Sequence, residues 1–310
     1  MDKIKVIAVV GPTASGKTSL GIEIAKKING EIVSADSMQI YKGMEIATAK
    51  PTQQERTQIP HHLIDFLEPA ETYSVAEYVR DAKNAIEDIV FREKNPVIVG
   101  GTGLYTDSLL EGIEFGFVPN NETVRTRLKE RMEKEGSAAL LSELRNIDPE
   151  TASKLSENNK GRIIRALEVY YLTGETISEQ KRKSREKESP YDAFYIGIEY
   201  KDRQNLYRRI EKRADMMIED GLLEEAEKYI NLGEQTTAKQ AIGYKELKPY
   251  FEGKITLDEA VSELKKQTRH YAKRQMTWFR RNKNIFYVYP DEDEDYVSRA
   301  VKAAEEFLRR

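Results

Sequence analysis

The chain has no cysteine among its 310 residues, and it has only three histidines and one tryptophan. Without cysteine the protein cannot contain a disulfide, a thiolate zinc or iron–sulfur site, or a cysteine nucleophile. Three histidines leave little material for a histidine-based metal site. The adjacent pair His61 and His62 has too few partner ligands for such a site, so a structural role is predicted for it.

Long apolar runs are also missing. No run approaches the ~20 residues that a membrane-spanning helix requires. The apolar segment from Ile4 to Val10 near the start lacks a cleavage-site pattern, so it is not interpreted as a signal peptide. We therefore expect a soluble, cytoplasmic protein without a membrane partner.

The net charge is close to zero, with 50 Lys and Arg against 53 Asp and Glu. At first sight this argues against a nucleic-acid partner. The sum nevertheless averages basic stretches, Lys181 to Lys187 and Lys265 to Lys283, with acidic ones such as Asp291 to Asp295. Because RNA binding depends on which face carries the cations, a near-neutral sum does not exclude it.

Strand and helix signals alternate in the first third of the chain. Short β-branched runs at Ile4 to Val10, Glu31 to Ala35 and Pro96 to Val99 predict strands. Helices are predicted from Lys17 to about Ile28 and after the capping box Ser74-Val75-Ala76-Glu77. This alternation predicts an α/β fold with a parallel sheet core flanked by helices.

The strand signals disappear from about Phe115 to Ser189, where charged helical segments replace them. Within this region, Lys181 to Glu188 is almost wholly charged and is predicted to be solvated. A strand signal returns at Phe194 to Glu199, helices follow from Arg203 to Arg281, and a last strand is predicted at Ile285 to Tyr289. We therefore predict a core of residues 1–114 and 190–310, interrupted by an all-helical insertion domain at 115–189.

The strongest motif is a phosphate-binding loop between the first strand and the first helix. Backbone N–H groups of such a loop bind phosphate at a helix N-terminus. Lys17 would add a positive charge, and the Thr18 hydroxyl is placed to bind Mg²⁺. The motif predicts a site for a di- or triphosphate. It consists of Gly11, Pro12, Thr13, Ala14, Ser15, Gly16, Lys17 and Thr18.

The loop alone does not determine the reaction. A nucleotide kinase normally has a second carboxylate at the end of a neighbouring strand. The strand Val97 to Val99 ends instead in Gly100-Gly101-Thr102-Gly103, which is either a structural turn or a functional loop. Asp36 follows another strand and could be a Mg²⁺ ligand, a general base or the cap of the next turn. Ser37 and Gln39 have side chains suited to a nucleobase edge.

The helix around Val261 to Arg281 allows two interpretations. Its apolar residues recur at helical spacing and predict a buried face. The lysines and arginines between them either contact nucleic-acid phosphates or form a solvated basic face.

Taken together, these segments resemble the tRNA dimethylallyltransferases, in the compact bacterial form. The similarity extends over nearly the whole chain. The segments that carry it are GPTASGKT at 11–18, DSMQIYKG at 36–43, TAKP at 48–51, HHLID at 61–65, YSVAEYVRDA at 73–82, GGTGLY at 100–105, GRIIRALEVYYLTG at 161–174, AIGYKEL at 241–247 and TRHYAKRQMTWFR at 268–280.

The resemblance implies Mg²⁺-dependent transfer of a dimethylallyl group from dimethylallyl diphosphate to N6 of the adenosine 3′ of the anticodon. The products would be N6-isopentenyladenosine and diphosphate. It implies that Lys17 and Arg213 stabilise the leaving diphosphate, that Asp36 is the base and that Thr102 orients the amine. Ser37, Met38 and Gln39 would surround the flipped base. On the insertion, the tRNA contacts would be Arg125, Gly161, Arg162, Ile163, Ile164 and Arg165.

The sequence departs from the family pattern at two positions. Ala47 stands where glycine is usual, and Gly161 replaces a basic or amide residue, leaving one fewer RNA contact. The chain has no Cys/His zinc finger, and a monomer is expected. Three alternatives remain: a prenyltransferase acting on free adenine nucleotides, a nucleotide kinase, and a non-catalytic RNA-binding module. The basic insertion, the missing strand-end acid and the phosphate-binding loop, respectively, argue against them.

Overall fold

The computed structural model describes residues 3–113, 121–186, 188–230 and 237–310. In these ranges six strands form one sheet in the order β3-β2-β4-β1-β5-β6, and every neighbouring pair is parallel. The predicted parallel α/β core is confirmed. The strands are β1 (Ile4–Val10), β2 (Gly30–Ser34), β3 (His61–His62), β4 (Asn95–Gly100), β5 (Tyr191–Ile198) and β6 (Phe286–Val288).

Helices cover both faces of the sheet and continue beyond it. They are α1 (Lys17–Lys27), α2 (Gln53–Gln58), α3 (Val75–Phe91), α4 (Gly103–Leu110), α5 (Glu122–Glu135), α6 (Ser137–Ile147), α7 (Pro149–Ala152), α8 (Lys160–Thr173), α9 (Ile177–Arg185), α10 (Arg203–Glu219), α11 (Leu222–Ile230), α12 (Tyr244–Phe251), α13 (Leu257–Phe279) and α14 (Tyr296–Arg309).

Alternation along the strands divides the core between the two faces of the sheet. In β1, Val6 and Ala8 pack on the face covered by α3, whereas Ile7 and Val9 pack on the face covered by α1 and α14. The strand is therefore buried on both faces, and this explains why it is apolar at every position from Val6 to Val10.

Helices α10 to α13 build a third apolar cluster against the segment that follows β2. Ile40, Tyr41 and Met44 from that segment are fully buried in it, together with Leu264 of α13. This packing holds the residues after β2 against the C-terminal helices. It creates the wall of the cavity described below.

Contacts divide the chain into two compact units: Met1–Leu110 with Pro190–Arg310, and Glu111–Ser189. The second unit contains α5 to α9 and has an apolar core of its own. Its predicted first boundary, between residues 114 and 115, lies in the segment 114–120, outside the described residues. The second boundary falls between Ser189 and Pro190, where the sequence placed it.

Residues 181–183, predicted to be solvated, are exposed on α9, which begins with a capping box between Thr176 and Glu179, whereas Ser184 is buried. Lys187 is outside the described residues. One short strand was not predicted. His61 and His62 form the edge strand β3, which is too short for a period-2 pattern. The structural role predicted for His62 is consistent with its ion pair to the buried Glu31.

Within the described part of the chain, none of the helices combines the length and the apolar character that crossing a lipid bilayer requires.

We predict that Gly100→Ala destabilises the protein. A Cβ at Gly100 would lie 2.1 Å from the Ala35 carbonyl oxygen, so backbone must move at the end of β4. Overpacking of this kind costs about 1–3 kcal/mol. Chemical denaturation of the variant should show this loss of unfolding free energy.

Gly161→Ala is the matched control, because a Cβ there meets nothing within 4 Å and the residue is helical. Its unfolding free energy should stay the same or rise. Equal stability of Gly100→Ala and the wild type would contradict the close approach of β4 to Ala35.

Candidate active site

The phosphate-binding loop joins β1 to α1, as predicted. Ala14 and Gly16 adopt positive φ angles of 61° and 96°, and the Ser15 amide donates to the Pro12 carbonyl at 3.3 Å. This conformation turns successive N–H groups toward the N-terminus of α1. The Ser15 hydroxyl is buried and has no hydrogen-bond partner among the described residues, so it is available to an oxygen-rich ligand. The loop therefore has the conformation and the polar groups of an anion site.

Two partly buried cations, Lys17 and Arg213, and the Asp36 carboxylate line one cavity beside this loop. Burial lowers the pKa of Lys17 to about 8; the Asp36 carboxylate opposes this shift and Arg213 adds to it. Burial also lowers the pKa of Arg213, again opposed by Asp36. Cations that lose hydration in this way gain from a polyanion that replaces the missing water. The site is therefore electrostatically suited to a diphosphate.

Asp36 and Thr102 follow β2 and β4, whose ends are adjacent in the sheet. The Ser37 amide donates to Thr102 Oγ1 at 3.1 Å, and the Thr102 amide donates to the Ala35 carbonyl at 3.1 Å. Asp36 Oδ1 accepts from the Met38 and Gln39 amides at 3.0 and 3.4 Å. Asp36 thus caps the following turn and lines the cavity as well, so the two interpretations of this residue are compatible.

These groups surround a cavity of about 250 Å³. Polar lining residues come from the ends of the strands and from α1, and also from α10 and α13, which contribute Arg213, Arg274 and Gln275. Apolar residues of α10 and α13 and of the segment around residue 241 complete the lining. Of the predicted residues, the cavity brings together Thr13, Ala14, Lys17, Thr18, Asp36, Ser37, Met38, Gln39 and Arg213.

The side-chain amide of Gln39 forms hydrogen bonds within the protein. Its Nε2 donates to the carbonyls of Thr48 and Ala49, both at 3.2 Å, and Ser34 Oγ donates to its Oε1 at 3.4 Å. The two N–H groups therefore hold the loop around Thr48. The sequence analysis predicted that this side chain contacts the edge of a nucleobase. In that role its N–H groups would have to leave the two carbonyls and bind the base instead.

Several residues that line or brace the cavity escaped the sequence analysis. Gln275 Oε1 accepts from the Thr13 amide at 2.8 Å, and its Nε2 donates to the Gly101 carbonyl at 2.9 Å. Arg209 Nε donates to the Ala14 carbonyl at 2.9 Å. Gln275 occurs in one of the family-like segments, yet its partner lies 262 residues away, and no local pattern indicates such a contact.

The basic helix α13 combines both of its interpretations. Lys265, Arg269 and Arg280 form ion pairs with acidic residues, which supports a solvated, charge-balanced face. Arg274 and Tyr271, in contrast, line the cavity. Of the apolar residues predicted to be core, Leu264 is buried, whereas Val261, Tyr271 and Trp278 are only partly buried.

His61 has a position that the sequence did not predict. It lines a second cavity of about 10 Å³, large enough for one water molecule, together with Thr18 and Asp36. Its Nδ1 contacts the Ile59 carbonyl at 2.7 Å, while the buried Nε2 has no hydrogen-bond partner in the part of the chain that the structure describes.

In the helical unit, Arg125, Gly161, Arg162 and Arg165 are exposed. Ile163 and Ile164 were also expected to contact tRNA, but both side chains are buried in the core of this unit, so that expectation is corrected for the side chains. Helical periodicity explains the difference, since Arg162 and Arg165 share the outer face of α8 while the isoleucines between them point inward. Arg165 Nη1 lies 2.7 Å, and Arg125 Nη1 3.9 Å, from the buried Glu168 carboxylate.

Comparison with known proteins is consistent with this site. The family model described as IPP transferase matches residues 39–282. The chain belongs to this family. A relative, the tRNA dimethylallyltransferase of Caldanaerobacter subterraneus, is 47% identical over 296 residues, which cover 94% of each chain.

Solved structures of the IPP transferase family share the fold. The tRNA delta(2)-isopentenylpyrophosphate transferase of Staphylococcus epidermidis aligns with a TM-score of 0.71 and 40% identity over 99% of each chain. A eukaryotic dimethylallyltransferase acting on tRNA aligns with a TM-score of 0.83 and 30% identity, covering 99% of this chain and 80% of that one.

We predict that Lys17→Ala and Arg213→Ala weaken the binding of inorganic diphosphate, because each removes a partly buried cation beside the phosphate-binding loop. Charge-assisted hydrogen bonds contribute about 1.5–3 kcal/mol, so each Kd should rise about tenfold to a hundredfold. Isothermal titration calorimetry measures the Kd of each variant for diphosphate.

Lys26→Ala is the control, because Lys26 is exposed on the same helix and pairs with Glu23. Its diphosphate Kd should equal that of the wild type. An unchanged Kd for Lys17→Ala would contradict the assignment of the phosphate-binding loop to the anion site.

Proposed function

We propose that this protein is a tRNA dimethylallyltransferase that transfers the dimethylallyl group of dimethylallyl diphosphate to N6 of the adenosine 3′ of the anticodon. The observation that carries the proposal is the convergence of Asp36, Lys17 and Arg213 on one cavity beside a phosphate-binding loop. Family membership and the names of the relatives support the same activity.

The polar part of the cavity suits the donor. The loop amides, Lys17 and Arg213 would hold the diphosphate, and the apolar side chains of Ala214, Met217 and Leu264 are available to the hydrocarbon tail. As the carbon–oxygen bond breaks, its electron pair moves to the diphosphate oxygen. The two cations then stabilise charge that develops in the transition state, where such stabilisation accelerates the reaction.

The acceptor nitrogen is a poor nucleophile because its lone pair is delocalised into the adenine ring. As the new C–N bond forms, N6 must lose one proton, which we assign to the Asp36 carboxylate. Since Oδ1 binds two backbone amides, Oδ2 is the oxygen that would receive it. Thr102, fixed by the Ser37 amide, would orient the amine. A base in an anticodon loop must leave its stack to reach this cavity.

Mg²⁺ fits the residues present. The Thr18 hydroxyl at the start of α1 lines the cavity and is the side chain that would contact the ion. Among the described residues no group of three or more histidine or acidic side chains could hold a metal alone, so diphosphate oxygens and water would complete the shell, as is usual for Mg²⁺. When bound, the ion would neutralise charge on the leaving diphosphate. A monomeric state and a cytoplasmic location stay predictions.

We predict that Asp36→Asn lowers kcat by about a hundredfold or more while the Kd for tRNA changes by less than about threefold, because the amide keeps the shape but cannot accept the proton. The assay incubates protein and Mg²⁺ with labelled dimethylallyl diphosphate and either unmodified tRNA, AMP or no acceptor. Filter binding measures the tRNA affinity.

Asp192→Asn, at an exposed position of β5, should behave like the wild type. Equal losses in kcat and tRNA affinity would make Asp36 a binding residue. Label in AMP but not in tRNA would favour the enzyme class that acts on free nucleotides, and phosphate transfer from ATP would favour a kinase.

We predict that Arg165→Ala weakens tRNA binding and reduces its salt dependence. Removing one phosphate contact should decrease the slope of log Kobs against log salt by about 0.7–0.9. Lys154→Ala, an exposed cation of the same unit paired with Glu150, is the control. An unchanged slope for Arg165→Ala would contradict a contact between Arg165 and an RNA phosphate.

A further inference from the structure

The loop from Met44 to Lys50 forms part of the cavity wall through Ala47, Thr48 and Ala49. Its backbone bonds internally, from the Ala49 amide to the Ile46 carbonyl at 3.0 Å and from the Lys50 amide to the Glu45 carbonyl at 3.1 Å. The loop is therefore compact, but these bonds alone do not fix it to the rest of the protein.

A buried carboxylate of α11, Glu225, binds the backbone of this loop. Glu225 Oε2 accepts from the Glu45 and Ile46 amides at 2.7 and 2.8 Å, and Oε1 accepts from the Ala47 amide at 2.9 Å. Three successive N–H groups thus form an anion nest, and the anion in it is a side chain of the same protein. Oε1 also accepts from the Tyr244 hydroxyl at 2.9 Å, and Tyr244 belongs to the family-like segment at 241–247.

The cavity side of the loop is held by Gln39. Its Nε2 donates to the carbonyls of Thr48 and Ala49, and Gln39 follows the proposed base Asp36 by three residues. The loop is therefore fixed between Glu225 on one side and Gln39 on the other. If the contact with Glu225 is lost, Gln39 loses the support that sets its side-chain orientation in the cavity.

The charge of Glu225 is compensated by these donors. Its side chain is buried, and within the described ranges no lysine or arginine forms an ion pair with it. A carboxylate without a cationic partner in such a place depends on its hydrogen bonds, and removing it would leave three backbone N–H groups unpaired. The contact is consequently directional and cannot be replaced by packing alone.

We propose that Glu225 is a positioning residue for the acceptor part of the cavity, acting through the loop Met44–Lys50 and Gln39. This inference rests on the proposed function, because it identifies the Gln39 side of the cavity as the place of the adenosine. The donor groups Lys17 and Arg213 lie outside this chain of contacts.

The test compares Glu225→Gln with the wild type in the prenyl-transfer assay. The amide keeps the size of the side chain, but its NH₂ group cannot accept from the loop. The KM for tRNA should rise about tenfold, which corresponds to one unpaired amide group, while kcat and the KM for dimethylallyl diphosphate change by less than about twofold. Tyr244→Phe removes one of the four donors and should raise the tRNA KM by a smaller factor.

Hydrogen exchange measured by mass spectrometry on the protein without substrate gives a readout that does not depend on activity. In Glu225→Gln, the peptide containing residues 45–47 should exchange faster, and peptides from β1 and β4 should keep their protection. Glu227→Gln, an exposed residue on the same helix, is the control and should match the wild type in both measurements.

Three results would overturn the inference. The first is a fall in kcat with both KM values unchanged, which indicates only a smaller folded fraction. The second is unchanged exchange of residues 45–47, and the third is faster exchange throughout the protein. Failure of the wild type to prenylate tRNA contradicts the proposed function instead, and the exchange measurement then still determines whether Glu225 holds the loop.

Discussion

Strands β2, β4 and β1 are adjacent and parallel, so their carboxyl ends meet at one edge of the sheet. The phosphate-binding loop follows β1, Asp36 follows β2 and Thr102 follows β4. This constraint brings together groups that are up to about 90 residues apart in the chain, as is usual for ligand sites in open α/β sheets. Gly100 allows the close approach, because its Cα faces the Ala35 backbone without room for a side chain.

The buried charges give the site its preference for a polyanion. Lys17 and Arg213 lose hydration there, and the Asp36 carboxylate offsets part of this cost for both. A diphosphate would supply the negative charge that the protein itself does not provide. Each cation gains from the charge of the bound donor, and gains further as the leaving group acquires charge in the transition state.

Local patterns were sufficient for most of the fold. The capping box at Ser74 marks the start of α3, and the apolar run before Gly11 marks β1. They failed at β3, which has two residues. At α9 the charged residues predicted a solvated segment and residues 181–183 are exposed, but the helix that Thr176 and Glu179 cap was not predicted. Ile163 and Ile164 belong to the family-like segment 161–174, which the sequence analysis assigned to tRNA binding. Helical periodicity, however, decides which side chains of that segment are buried.

The sequence by itself determined the chemistry that the chain can perform: a phosphate-binding loop, a strand-end carboxylate, and no cysteine for a zinc finger. These signals are local, because each depends on a few consecutive residues and their intrinsic backbone preferences. Only the tertiary structure decided how the site is braced. Gln275 reaches Thr13, and Glu225 reaches the loop at residues 45–47, across more than half of the chain. Such contacts depend on the packing of α11 and α13 against the sheet edge, and no short-range pattern encodes a partner at that distance.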